Sequence, residues 1–207
     1  MTITEIENRI TLYGLISRLM ISEVDCEFLK IIEENESLKA LLPHYASWDK
    51  RDKLSCGELI AQHYDVDYAN LFLLHLVPYE SFYTKEDQMI QSGGVSPLMS
   101  LYNALDFKVE LEKARVVSAD HLGVELEFMH ILCNATKKAF EANDTDGINE
   151  LAYIQKGFLD DHLLKWAPMF LVNMKKEATT PLYHDGAELA LEFLLSDYEY
   201  LSSIIKA

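Results

Sequence analysis

Asp120-His121-Leu122-Gly123-Val124-Glu125-Leu126-Glu127-Phe128-Met129-His130-Ile131-Leu132 is an acid–imidazole pair followed by a run with helical apolar spacing. Leu122, Leu126, Met129 and Cys133 mark one face, and Val124, Phe128, Ile131 and Leu132 widen it until apolar residues cover most of the circumference. A helix of that kind belongs at the centre of a fold. Ser118 and Asp120 are both competent N-caps, and Asp120 also sets negative charge at the positive end of the helix dipole. The pair thus lies where a helix leaves backbone N–H groups unpaired. Two accounts of it compete: a functional lip on a buried element, or a cap followed by a partly buried, hydrogen-bonded histidine.

Towards the N-terminus, Thr2 and Thr4 are placed to cap a helix in which Ile6, Ile10, Tyr13, Ser17 and Met20 share a face, with Leu12, Ile16 and Leu19 beside it. Asp25 is the cap of a second, carrying Phe28, Leu29, Ile31 and Ile32 before the acidic 33–36. A short helix around 37–42 is closed by Pro43, and 44–53 reads as a polar loop around Trp48. Ser55-Cys56-Gly57-Glu58 has the capping-box pattern and predicts a helix to about Tyr64, with Asp65 or Asp67 beginning the next.

The period is then lost. Leu76-Val77-Pro78-Tyr79-Glu80-Ser81-Phe82-Tyr83 places three aromatics around one acid, Ser92-Gly93-Gly94-Val95 follows, and 76–95 reads as a long irregular loop of the kind that carries function. Ser96-Pro97 is a helix-start signature for a helix through Leu105. Beyond the central helix, 141–147 is a turn, and helix is expected from about Asp146 to Lys165. A second piece carries Pro168 in its first turn, since an interior proline costs ~3 kcal/mol. Asp185 to Ile205 forms the last helix, with Ala187, Leu191, Leu194, Tyr198 and Leu201 on its main face. No stretch sustains period-two alternation, so the expectation is an all-α chain, one bundle-like domain over 1–207 with about nine or ten helices.

The net charge of −16 argues against nucleic acid, whose phosphates require a basic surface, and favours a basic partner. The acidic start of the chain does not resemble a signal peptide, and no apolar run approaches the ~18 residues of a membrane span. Cys26, Cys56 and Cys133 are odd in number and far apart, which argues against a disulfide framework or a thiolate zinc site and suits a reducing compartment. Glu127-Phe128-Met129-His130 is a Glu-x-x-His, but di-iron bundles need two such units and no other histidine has a glutamate three residues before it. A site from Asp120, His121, Asp161 and His162 is unfavourable, because neighbouring helical residues point apart. Neither a Gly-x-Gly-x-x-Gly nor a Gly-Lys-Ser/Thr is present. The expectation is a chain without metal or cofactor.

Three segments together carry a resemblance. Tyr79-Glu80-Ser81-Phe82-Tyr83, the Asp120–Met129 run, and Phe158-Leu159-Asp160-Asp161-His162-Leu163-Leu164-Lys165-Trp166-Ala167-Pro168-Met169-Phe170 look like the TorD/DmsD/NarJ family of cytoplasmic redox-enzyme maturation chaperones, in order and spacing as well as residues. Arg9, Leu12, Tyr13 and Ile16 resemble that family's N-terminal helix. The resemblance implies an all-α globule of two helical halves, here 1–117 and 118–207, joined near the Asp-His. It implies a cytoplasmic chaperone that binds the twin-arginine signal peptide and the body of a molybdenum- or tungsten-cofactor enzyme subunit. Monomer and domain-swapped dimer both stay open, since the segment around Gly93-Gly94 is one across which helical halves can exchange between chains. Tyr79, Glu80, Phe82, Tyr83, Asp120 and His121 are the partner-binding residues on this reading. Many members have Glu-Pro shortly before the Asp-His, where this chain has Val117-Ser118-Ala119. The chemistry is coherent, since guanidinium groups followed by an apolar segment require carboxylates beside an aromatic groove. The alternative is a small helical enzyme dependent on a metal or nucleotide.

Overall fold

Residues 1–90 and 97–205 are described in the computed structural model of the chain. Among them no strand forms, and the one β pairing is an isolated antiparallel bridge between Tyr79 and His121. In chain order the α-helices are α1 (Ile3–Ile21), α2 (Cys26–Glu34), α3 (Glu36–Ala40), α4 (Pro43–Ala46), α5 (Lys50–Lys53), α6 (Cys56–Leu59), α7 (Asp65–Tyr68), α8 (Glu80–Thr84), α9 (Pro97–Ala104), α10 (Leu111–Ala114), α11 (Leu122–Glu141), α12 (Thr145–Phe158), α13 (Leu164–Glu177) and α14 (Pro181–Ile205). Wider π-helical segments occupy Ile60–Tyr64, Ala69–Leu74 and Leu159–Leu163. The all-α class is as expected.

Several helices start where the sequence marks a cap. Thr2 Oγ1 accepts from the Glu5 N–H while Glu5 reaches back to the Thr2 N–H, and Asp25 Oδ1 accepts from the Phe28 N–H at 2.8 Å. Ser55 and Glu58 close a reciprocal capping box, and Pro97 is the first residue of α9. The Ser96 cap expected before it, like the Ser92–Val95 segment, lies outside the described residues.

Elsewhere local reading was overridden. Residues 56–74 run as one helix, with no break at Asp65 or Asp67, because a π turn rather than a loop absorbs the change of period. Asp67 is instead buried and accepts from the backbone N–H groups of Thr179 and Thr180 and from the Thr180 hydroxyl, at 2.6–3.1 Å. An acid read as the cap of its own helix therefore caps α14, which begins at Pro181 rather than Asp185. Similarly, 145–177 is continuous, and Pro168 lies inside α13 just past the π turn instead of in a first turn. The polar stretch 44–53 contains the single turns α4 and α5, with Pro43 opening α4. Within 76–90, residues Glu80–Thr84 form one helical turn. Cys26 and Cys56 are joined by a disulfide, their Cα atoms 5.8 Å apart, contrary to the expectation of free thiols. Each is the first residue of its helix, so the pairing depends on two helix starts meeting in space.

The chain divides into two compact units, Met1–Ile21 with Tyr79–Ala167 and Phe193–Ala207, and Ser22–Pro78 with Pro168–Glu192, rather than between residues 117 and 118. In the first unit α1 lies close against α11. A Cβ on Gly123 would stand 2.7 Å from the Ile21 Cβ and 2.9 Å from its backbone, and Ser17 Oγ donates to the Gly123 carbonyl at 2.8 Å. Arg9, read only as part of a motif, is buried and forks onto both oxygens of Asp197 at 2.5 and 2.9 Å, with Tyr13 donating to the same carboxylate and Gln155 accepting from the guanidinium. Removing one member of such a buried pair strands the other charge. His130 of the Glu-x-x-His unit hydrogen-bonds the Ile10 carbonyl. In the second unit Tyr64, Phe72, Phe170 and Tyr183 form an aromatic core.

Candidate functional site

The site is built within the first unit where the segment before α8 pairs with the start of α11. The Glu80 N–H donates to the Asp120 carbonyl at 3.0 Å, and the Ser81 N–H to Asp120 Oδ2 at 2.8 Å. Asp120 therefore fastens the first turn of α8 twice, once through its backbone and once through its side chain. Because the carboxylate is engaged there, the cap of α11 is His121, whose Nδ1 accepts from the Gly123 N–H at 3.1 Å. Neither Ser118 nor Asp120 takes that role. A ring nitrogen that accepts must be unprotonated. Burial agrees with that, lowering the His121 pKa to about 4 against a partial opposing pull from Asp120.

Tyr79 seals the pairing. Its ring meets that of His121 edge-on with centroids 5.0 Å apart, and its hydroxyl oxygen accepts from the Val117 N–H at 3.2 Å. Asp120 and His121 are both 3% exposed and Tyr79 8%, whereas Glu80, Phe82 and Tyr83 are half-buried. All six residues singled out in the sequence thus belong to one locus, the first three as its frame and the last three at its accessible side.

Three further residues complete the locus. Glu80 is held by His162 Nδ1, which lies 3.1 and 3.2 Å from its two carboxylate oxygens. Trp166, one turn on from His162, stacks on Tyr83 with centroids 5.4 Å apart and donates Nε1–H to Glu125 Oε2 at 3.3 Å. Glu125 is fully buried, and burial first, with the neighbouring Glu80 carboxylate second, pushes its carboxyl well above the usual range. Asp120 Oδ1 is buried without a hydrogen-bond partner among the described residues. The arrangement is a wall of carboxyl groups, one of them pushed towards its protonated form by burial, beside a Tyr83–Trp166 stack. Glu125 went unnoticed in the sequence, although its place among Leu122, Leu126 and Met129 puts an acid on a buried stripe. That conflict is the available signal.

The chain matches the family model described as nitrate reductase delta subunit over residues 33–172. The chain belongs to this family. Among curated relatives, this family member is similar to "Chaperone protein TorD" of Vibrio parahaemolyticus, 28% identical over 178 residues covering 84% of this chain and 80% of the relative. TorD of Psychrobacter is 30% identical over 146 residues, covering 68% and 63%, and TorD of Vibrio atlanticus is 25% identical over 215, covering 95% of each. No solved structure matches. The resemblance carried by Tyr79–Tyr83, Asp120–Met129 and Phe158–Phe170 is therefore kinship with the TorD/NarJ chaperones. No helix among the described residues is long and apolar enough to cross a membrane.

Proposed function

We propose that the chain is a dedicated cytoplasmic chaperone for the catalytic subunit of a molybdenum- or tungsten-cofactor oxidoreductase. It binds the subunit's twin-arginine leader and its apo body until the cofactor is inserted, delaying export. It is not an enzyme; the relatives are chaperones, and the alternative of a small helical metal- or nucleotide-dependent enzyme has no counterpart among them. The observation that carries the reading is Glu80, a half-buried carboxylate tethered to His162 beside the Tyr83–Trp166 stack. A guanidinium pairs with such a carboxylate in charge-assisted, bidentate fashion, and the apolar residues that follow it in a leader meet the half-buried rings of Phe82 and Tyr83, Trp166 backing the latter from the interior. Asp120 and His121 then act by holding the Tyr79–Thr84 segment in place, and the net charge of −16 draws a cationic peptide in.

Titrating a twin-arginine leader peptide into the purified chain, alongside the same peptide with Lys-Lys, tests this. The arginine peptide is expected to bind and the lysine peptide to bind more weakly, because an ammonium cannot reproduce the fork. Equal affinity for both, or for neither, would contradict arginine recognition.

A further inference from the structure

A second constellation, outside the locus above, lies wholly in the unit formed by Ser22–Pro78 and Pro168–Glu192. His44 from the single turn α4 and His184, Asp185 and Glu188 from α14 converge so that one ligand atom from each lies within 4.8 Å of the others. Asp185 is the buried pivot. Its Oδ2 accepts from the Tyr45 N–H at 2.9 Å and caps a turn that has no side-chain cap of its own, while Oδ1 faces two imidazoles. His44 Nδ1 is 2.6 Å from that oxygen and His184 Nδ1 is 3.3 Å from it. The two rings meet edge-on with centroids 4.8 Å apart. His184 and Glu188 are an i, i+4 pair, the spacing by which a helix presents two donors on one face. Lys175 is also paired into the cluster, its Nζ 2.5 Å from Glu188 Oε1.

We propose that His44, His184, Asp185 and Glu188 form a binding site for a divalent first-row transition cation of the Zn²⁺ class. Two imidazoles and two carboxylates are a donor set that suits zinc, and they neutralise the charge of the ion. Tetrahedral zinc with ligand distances of about 2.0–2.2 Å sets its donors roughly 3.3–3.6 Å apart, so the His44–Asp185 contact of 2.6 Å opens on binding while the wider pairs, all within 4.8 Å, close. The His44 side chain is 61% exposed, which leaves the ion a path in. Lys175 stands in for the cation at Glu188 and competes with it. His184-x-x-x-Glu188 is the one local sign of this site; it went unread because His44 lies far from α14 along the chain and no pair among the four has a Glu-x-x-His or cysteine spacing.

The test is titration of ZnCl₂ alone into the full chain with the Cys26–Cys56 disulfide intact, followed by calorimetry and by competition with a chromophoric chelator. One equivalent is expected to bind with a Kd below about 100 µM, and Mg²⁺ is not expected to compete. His184→Ala and Glu188→Gln should each weaken binding about tenfold or more. Lys175→Met should strengthen it by freeing Glu188. His44→Ala, at an exposed side chain, gives the same reading should His184→Ala fail to fold. Absence of saturable binding by the wild type, or affinity unchanged within about twofold in both His44→Ala and Glu188→Gln, would overturn the assignment.

Discussion

Glu125 shows how one residue can be both costly and informative. Burying a carboxyl among aromatic neighbours is unfavourable unless it keeps its proton. Its folded pKa lies well above the ordinary 4.5, so its contribution to stability is full below that value and is lost as pH rises through it towards the folded pKa. His121 behaves oppositely. Its folded pKa of about 4 lies below the ordinary 6.5, so what it contributes is present above 6.5 and lost as pH falls from there towards 4. Glu125→Gln keeps an acceptor for the Trp166 N–H and removes the titration. Urea melts across pH should therefore show the variant gaining on wild type by about 1.4 kcal/mol per pH unit above 4.5 for as long as folded Glu125 stays protonated. A difference that is flat in pH would mean that the carboxyl ionises in the folded protein. Gly123 is tested in the same way. In Gly123→Ala the new methyl meets the Ile21 backbone, and the expected loss of about 1–3 kcal/mol exceeds the gain of up to about 1 kcal/mol in helix propensity. An unchanged urea midpoint would show that α1 can move away from α11 freely.

Among the elements, those whose start and period are both local were legible. The central helix α11, the caps at Asp25 and Ser55, and Pro97 at the head of α9 needed nothing but neighbouring residues. Ile131, expected on the apolar side of α11, is instead 42% exposed, since the buried arc there is narrower than the apolar one. What was illegible depends on a partner far away in sequence. Asp67 serves the start of α14, Asp120 serves α8 rather than α11, and Cys26 finds Cys56 across 30 residues. The periodicity did not expose the π turns, because they shift the apolar face without interrupting it. The disulfide has a direct check. Thiol titration of the denatured chain without reductant should return one free thiol, that of Cys133, and three after reduction. Three free thiols before reduction would restore the sequence-based expectation. In the chain-entropy picture a closed loop of this size is worth roughly 3–4 kcal/mol, so reduction should also lower the melting temperature.

For the whole molecule, the fold class was readable from period alone, but the site was readable only in part. Tyr79–Tyr83 and Asp120-His121 stood out as the non-repetitive features, and the structure brings them into one locus through the Tyr79–His121 bridge. Their division of labour was not readable, because burial separates a frame of Tyr79, Asp120 and His121 from an accessible side of Glu80, Phe82 and Tyr83. That division also separates two kinds of variant. Asp120→Asn weakens the hold on the Ser81 N–H and should cost about 1 kcal/mol of stability, with leader binding falling alongside it. Glu80→Gln touches no backbone hydrogen bond made by the frame, so the two variants together distinguish recognition from scaffolding.

The most direct test is calorimetric titration of a twin-arginine leader peptide into wild type and Glu80→Gln at low and high salt, with thermal melts of both proteins. Recognition through the Glu80 carboxylate predicts weaker binding by the variant at low salt, a melting temperature nearly equal to that of wild type, and a difference in affinity that shrinks as charge attraction is screened. Leader affinity that is the same in Glu80→Gln and wild type at low salt would contradict it.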